Sequence, residues 1–115
     1  MTTYSGSCHC GAISFTYEGE LDRVISCNCS HCRRKGFLLA FGSEETIQVE
    51  VQGDVLGTYH FNKNTIDHHF CTRCGTATHA FGDVRGKRMG MVNVRCMPDV
   101  DLDALTLTKV DGASF

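Results

Sequence analysis

The sequence predicts an all-β domain. Three observations carry that prediction: side chains that alternate apolar and polar with a period of two, a short continuous apolar run bracketed by glycines, and cysteine clusters placed where turns belong. A chain of 115 residues is the size of one ordinary domain, so a single domain over residues 1–115 is expected.

In chain order, Cys8-x-Cys10-Gly11 leads into Ile13-Ser14-Phe15-Thr16-Tyr17, which alternates as a half-buried strand does. Val24-Ile25-Ser26 is a short β-prone run that delivers Cys27. Residues 30–35 can form one helical turn, with Gly36 as its stop signal. Phe37-Leu38-Leu39-Ala40-Phe41 reads as a buried strand. Thr46 to Val51 places Ile47, Val49 and Val51 on one face, and Gly53-Asp54 reads as the turn of a hairpin into Val55–Phe61. Asn62-Lys63-Asn64 is a further turn signal. Thr65–Phe70 then runs into Cys71-x-x-Cys74-Gly75, a knuckle-like turn, and out through Thr76 to Phe81. Gly82–Arg88 reads as a polar loop, and Met89–Cys96 alternates so that Cys96 shares a face with Val92 and Val94. The acidic segment Asp99–Asp103 departs from a calcium loop at Ala104 and Val110, and is expected to be a solvated turn or short helix. A last strand is expected within Leu105–Val110.

The formal net charge of −2 argues against a nucleic-acid partner, which would need a basic excess. No apolar run approaches the roughly 18 residues of a membrane span. Met1–Gly6 has neither a basic nor an apolar leader region, so a cytoplasmic location is expected. Eight cysteines in a reducing compartment point away from a disulfide framework and toward metal or redox chemistry. The oligomeric state is left open.

Cys27-Asn28-Cys29-Ser30-His31-Cys32 crowds three thiols into six residues. Thiolates select zinc, which takes four ligands in a tetrahedron. Cys8, Cys10, Cys71 and Cys74 make one complete set and are expected to form a structural site. Cys27, Cys29 and Cys32 then supply a second ion with three ligands. That site is either open to water or substrate, as catalytic zinc is, or closed by Cys96 or by one of His60, His68, His69 and His79. The adjacent Arg33-Arg34-Lys35 offsets the charge of three thiolates and suits a carboxylate-bearing ligand.

These spacings, with Val92-Asn93-Val94-Arg95-Cys96 and the tail through Asp111-Gly112, resemble the glutathione-dependent formaldehyde-activating enzyme family, which also includes centromere protein V. The resemblance implies a β-tent fold of several small coiled antiparallel sheets with zinc-binding cysteine turns. It implies two Zn2+ sites: Cys8, Cys10, Cys71 and Cys74 at the structural one, and Cys27, Cys29 and Cys32 at the catalytic one, which need not be fully occupied. It further implies carbon–sulfur lyase chemistry on adducts of a small thiol, glutathione, with formaldehyde or a related small aldehyde. On this reading Arg33 and Arg34 bind the carboxylates of the thiol and Phe37 or Phe41 walls the pocket, while no general base stands out. The alternative is a non-catalytic zinc-binding structural or interaction module. A thiol redox enzyme built on Cys71-x-x-Cys74 lacks the surrounding βαβ pattern.

Overall fold

Where apolar and polar residues alternate, the chain forms strands. The computed structural model describes residues 2–61 and 65–114; the Asn62–Asn64 turn signal lies outside them. Ten strands are formed among the described residues: β1 (Thr2–Ser7), β2 (Ile13–Gly19), β3 (Val24–Cys27), β4 (Leu39–Ser43), β5 (Ile47–Val51), β6 (Leu56–Tyr59), β7 (Ile66–Cys71), β8 (Ala77–Val84), β9 (Lys87–Asn93) and β10 (Leu107–Val110). The helix α1 (Ser30–Lys35) follows β3. No described helix is long and apolar enough to cross a membrane.

Two sheets result. One has three strands in the order β1-β2-β5, the other seven in the order β10-β3-β4-β9-β8-β7-β6. All ladders are antiparallel except β10 with β3, which is parallel. The sheets meet over a core of Phe15, Tyr17 and Ile47 from the smaller one and Val24, Ala40 and Val92 from the larger, with Val94 and Met97 beside them. Val24, Val92 and Val94 are wholly buried. Each contributes roughly 1.5–3 kcal/mol relative to an exposed side chain.

Several expectations are corrected by the fold. Residues 47–61 do not make a hairpin, because β5 pairs with β2 and β6 pairs with β7 in the other sheet. The turn at Gly53 instead carries the chain between sheets: the Gln52 amide donates to the Ala12 carbonyl, and the Thr72 amide to the Val55 carbonyl. A polar loop at Gly82–Arg88 is also absent. β8 and β9 run on to a two-residue turn, Arg85-Gly86, whose positive φ values of 52° and 80° match the twist of a hairpin. β9 ends at Asn93, and Cys96 lies in a 3-10 turn, Val94–Cys96, capped by the Asn93 side chain. The acidic segment, by contrast, is the short helix expected of it, a 3-10 turn over Leu102–Ala104 with Asp101 accepting from the Asp103 amide.

Candidate metal centres

The first cysteine cluster joins the two sheets. Cys8 and Cys10 lie on the turn between β1 and β2, while Cys71 ends β7 and Cys74 lies on the turn between β7 and β8. All four sulfurs lie within 4.8 Å of one another. Cys10 Sγ is 3.7 Å from Cys8 Sγ and 3.6 Å from Cys71 Sγ, although 61 residues separate Cys10 from Cys71 in sequence. Zinc–sulfur bonds of ~2.3 Å in a tetrahedron place sulfurs about 3.8 Å apart, so these spacings are already those of a zinc tetrahedron.

Backbone amides face the sulfurs: Ile13 donates to Cys8 Sγ at 3.3 Å and Cys74 to Cys71 Sγ at 3.5 Å. Gly75 follows with φ of +81°, a left-handed turn conformation that a side chain would strain. The Thr76 hydroxyl, then the Cys10 and Thr76 amides, hold the Cys74 thiol down at about 5. Cys8 and Cys71 are buried with Ala12, Ile13 and Val55 in a small apolar cluster of their own.

The second cluster has three members. Cys27 ends β3, Cys29 caps α1, and Cys32 lies within it. Their sulfurs also lie within 4.8 Å of one another, and among the described residues no fourth His, Cys, Asp or Glu joins them. Cys29 Sγ accepts the Cys32 amide at 3.2 Å. Burial opposes ionisation of Cys29, but the Cys32 amide, the Cys32 thiol and the His31 amide outweigh it and lower its pKa. Burial, then the Cys29 thiol, pushes Cys32 the other way. α1 stops at Gly36, where the backbone turns left-handed and its amide returns to the Cys32 carbonyl.

None of the residues weighed as a fourth ligand joins the three sulfurs, although His68, His69 and His79 line a cavity shared with them. Cys96 Sγ lies 3.6 Å from the Ala77 carbonyl oxygen in the main core, where burial first, and then the charges of Cys8 and Cys74, raise its pKa. His60 pairs with Asp67, His69 Nδ1 with the Thr58 hydroxyl, and His79 Nδ1 with the Thr78 hydroxyl. His68 stacks on Phe61 and against His31, whose own buried Nδ1 has no hydrogen-bond partner among the described residues.

Three cavities surround the triad loop. A groove of about 450 Å³ brings Arg33, Arg95 and Lys109 to Cys27 and Cys32. A cavity of about 720 Å³ holds all three cysteines and extends over Leu39, Phe41, Ala80 and Met91, with His68, His69 and His79 and the charged Glu20, Asp22 and Arg23 also in its lining. A third, of about 520 Å³, is lined by His31, Arg34, Tyr59 and His68. The expected basic residues therefore diverge. Arg33 faces the groove, while Arg34 lines the third cavity and donates to the Ser30 carbonyl at 2.9 Å.

Lys109 carried no signal in the sequence, and Asn28 and Asp111 stood inside quoted motifs without a role, since each is an ordinary polar residue until folding sets it beside the cysteines. Arg95 had a signal, its place in the Val92–Cys96 motif, but no role. Its Nε donates to the Gly36 carbonyl at 2.7 Å, tying the end of α1 to the turn after β9.

Fold and clusters together define a small β-domain with two cysteine clusters positioned to hold metal ions, both fitting zinc by donor type and the first also by its sulfur spacings. The chain belongs to the glutathione-dependent formaldehyde-activating enzyme family, whose model matches residues 3–105. It is also similar to a protein of Rhodobacter sphaeroides known from a crystal structure, with 29% identity, a TM-score of 0.76, and coverage of 90% of this chain and 99% of that one.

Proposed function

We propose that the chain is a zinc-dependent carbon–sulfur lyase-type enzyme that makes and breaks adducts between glutathione and a carbonyl compound. The observation that carries this reading is the Cys27, Cys29 and Cys32 triad. It offers three soft donors, no fourth among the described residues, and a position where a cationic groove meets an apolar cavity. Cys8, Cys10, Cys71 and Cys74 would hold a closed structural zinc, and the triad an open one. A zinc ion in the open site supplies a Lewis acid that favours the thiolate form of a substrate thiol.

The chain's own residues do the rest. Arg33 lines the groove beside Cys27 and Cys32, where a two-pronged guanidinium can take a glutathione carboxylate. Lys109 and Arg95 extend the same positive surface. Arg34 meets a ligand from the third cavity instead. Addition joins sulfur to the carbonyl carbon as the π pair moves to oxygen, and the proton lost by the thiol ends on that oxygen. Cleavage is the reverse. All eight cysteines are free, which suits a reducing cytoplasm rich in glutathione.

Cobalt substitution tests the open site. Added glutathione should perturb the thiolate-to-cobalt absorption of the triad, and exchange NMR with 13C-formaldehyde should show faster adduct formation with the zinc protein than with Cys29→Ser. An unchanged spectrum together with an unchanged exchange rate sinks the enzymatic reading and leaves a zinc-bound scaffold.

A further inference from the structure

We infer that the carbonyl partner carries a bulky apolar group, and that the cavity of about 720 Å³ beside the triad is the pocket for that group. This deepens the reading of the triad as a site of thiol–carbonyl addition and rests on it.

The register of the larger sheet builds the pocket. Phe41 pairs with Met91, Met91 with Ala80, and Ala80 with His68, so these four side chains form one row across β4, β9, β8 and β7. Leu39, two residues before Phe41, belongs to the next row on the same face. The opposite face of those strands carries Ala40 and Val92 into the core against the smaller sheet. One side of the sheet is thus buried against the smaller sheet, while the other carries a second, smaller buried cluster, Leu39, Ala80 and Met91, with the exposed Phe41 at one end of the row and His68 at the other.

Two features say what that face receives. Leu39, Ala80 and Met91 pack directly against Cys32 and Phe37, so the cluster begins at the triad. Phe41 and Val84 line the cavity yet remain 39% and 38% exposed. Large apolar side chains left open around a concave site are what an apolar ligand covers.

Size and charge then decide the ligand. Formaldehyde has two heavy atoms and takes up a volume on the order of a few tens of Å³, close to that of water. The cavity is many times larger, within the roughly 300–1,000 Å³ of sites for drug-sized ligands. Cys27, Cys32 and Phe37 border both this cavity and the groove of Arg33, Arg95 and Lys109. The triad therefore sits at the seam of a two-part site, with carboxylates on one side and an apolar group on the other. The matching substrate is the S-(1-hydroxyalkyl) or S-[hydroxy(aryl)methyl] adduct of a carboxylate-bearing thiol with a medium-chain or aromatic aldehyde. Its formation joins sulfur to the carbonyl carbon, leaves the thiol proton on oxygen and involves no net redox change.

Binding of S-methylglutathione and S-hexylglutathione to the zinc protein, followed by calorimetry and by methyl NMR, tests the pocket without depending on turnover. The hexyl compound should bind at least about tenfold more tightly and shift the methyl signals of Leu39, Ile66 and Met91. Phe41→Ser and Val84→Ser, at exposed positions, should erase most of that preference while sparing the methyl compound. Equal affinities with no shifts at those methyls overturn the apolar pocket and leave the glutathione reading standing. Failure of both compounds to bind removes both. A ligand-free dimer that Phe41→Ser dissociates, with no hexyl preference, assigns the apolar face to a second copy of the chain and also overturns the inference.

Discussion

The Asn28 side-chain amide donates to Asp111 Oδ1 at 2.9 Å, and its carbonyl oxygen accepts the Ala113 amide at 3.0 Å. Asn28 lies between two cysteines of the triad, and Asp111 lies 83 residues away in sequence. The pair closes a clamp that begins with the parallel β10–β3 ladder and the Asn28 amide on the Val110 carbonyl. Through this clamp the C-terminal segment becomes part of the triad's frame.

Asn28→Ala should therefore loosen the triad while leaving the fold intact. Loss of a residue that orients metal ligands typically costs about 10–100-fold in affinity. Titration of the zinc protein with a chromophoric chelator should release one of the two ions that much more readily and leave the other unmoved.

Gly112→Ala should act on the same site by collision. A methyl group there would stand 2.4 Å from Cys27 Sγ and 3.2 Å from Cys29 Cβ, so the triad or the tail must shift. Metal analysis should give about one zinc per chain rather than two, with the folded NMR spectrum retained.

Removing metal should affect the clusters unequally. Cys8 and Cys71 are buried and bridge the two sheets, whereas Cys27, Cys29 and Cys32 are held close by chain proximity, at the edge of a cavity. Structural zinc can contribute an apparent ~10–16 kcal/mol, against a typical net domain stability of ~5–15 kcal/mol. Cys71→Ser should unfold the protein at ambient temperature, while Cys29→Ser should keep a cooperative thermal transition. Circular dichroism of the two variants checks this contrast.

Cys96 should prove to be a core residue. Burial pushes its thiol up to about 11, and its sulfur lies among core groups rather than at the triad. Cys96→Ala should retain both zinc ions and lose a stability of about 1 kcal/mol, the usual scale for a small core truncation. Loss of one zinc in that variant would falsify its exclusion from the second site.

Acid should destabilise the fold through the buried His79 and the half-buried His68. Burial, with a smaller push from His69, holds His79 down at about 4, and burial followed by the charge of His31 lowers His68 to about 4 as well. A histidine unfolds to a value near 6.5, so the unfolded chain binds more protons between those limits. The contribution is complete above about pH 6.5 and is lost as pH falls toward 4, by up to about 1.4 kcal/mol per pH unit for His79. Urea unfolding from pH 7.5 to 5, with zinc content monitored, should show that slope, and His79→Gln should reduce it.

Much of this protein was legible in its sequence because local spacing alone determines it. Alternation marked β2 and the buried end of β5, since side-chain direction repeats every two residues whatever the strand pairs with. The Cys27, Cys29 and Cys32 spacing was enough to gather three thiols, because six residues leave no room for them to part. Residues 30–35 and Gly36 formed the expected turn for the same local reason. Partners distant in sequence were not legible. Alternation could not tell that β5 and β6 belong to different sheets, because the pairing of an edge depends on which remote strand covers it. Nor could composition separate Arg33 from Arg34, or set Lys109 and Asp111 beside Cys27, since each depends on the direction in which a folded element points. The cysteines were written locally; the groove, the apolar cavity and the clamp around them exist only once β10 has paired with β3 and one face of the larger sheet has been buried against the smaller.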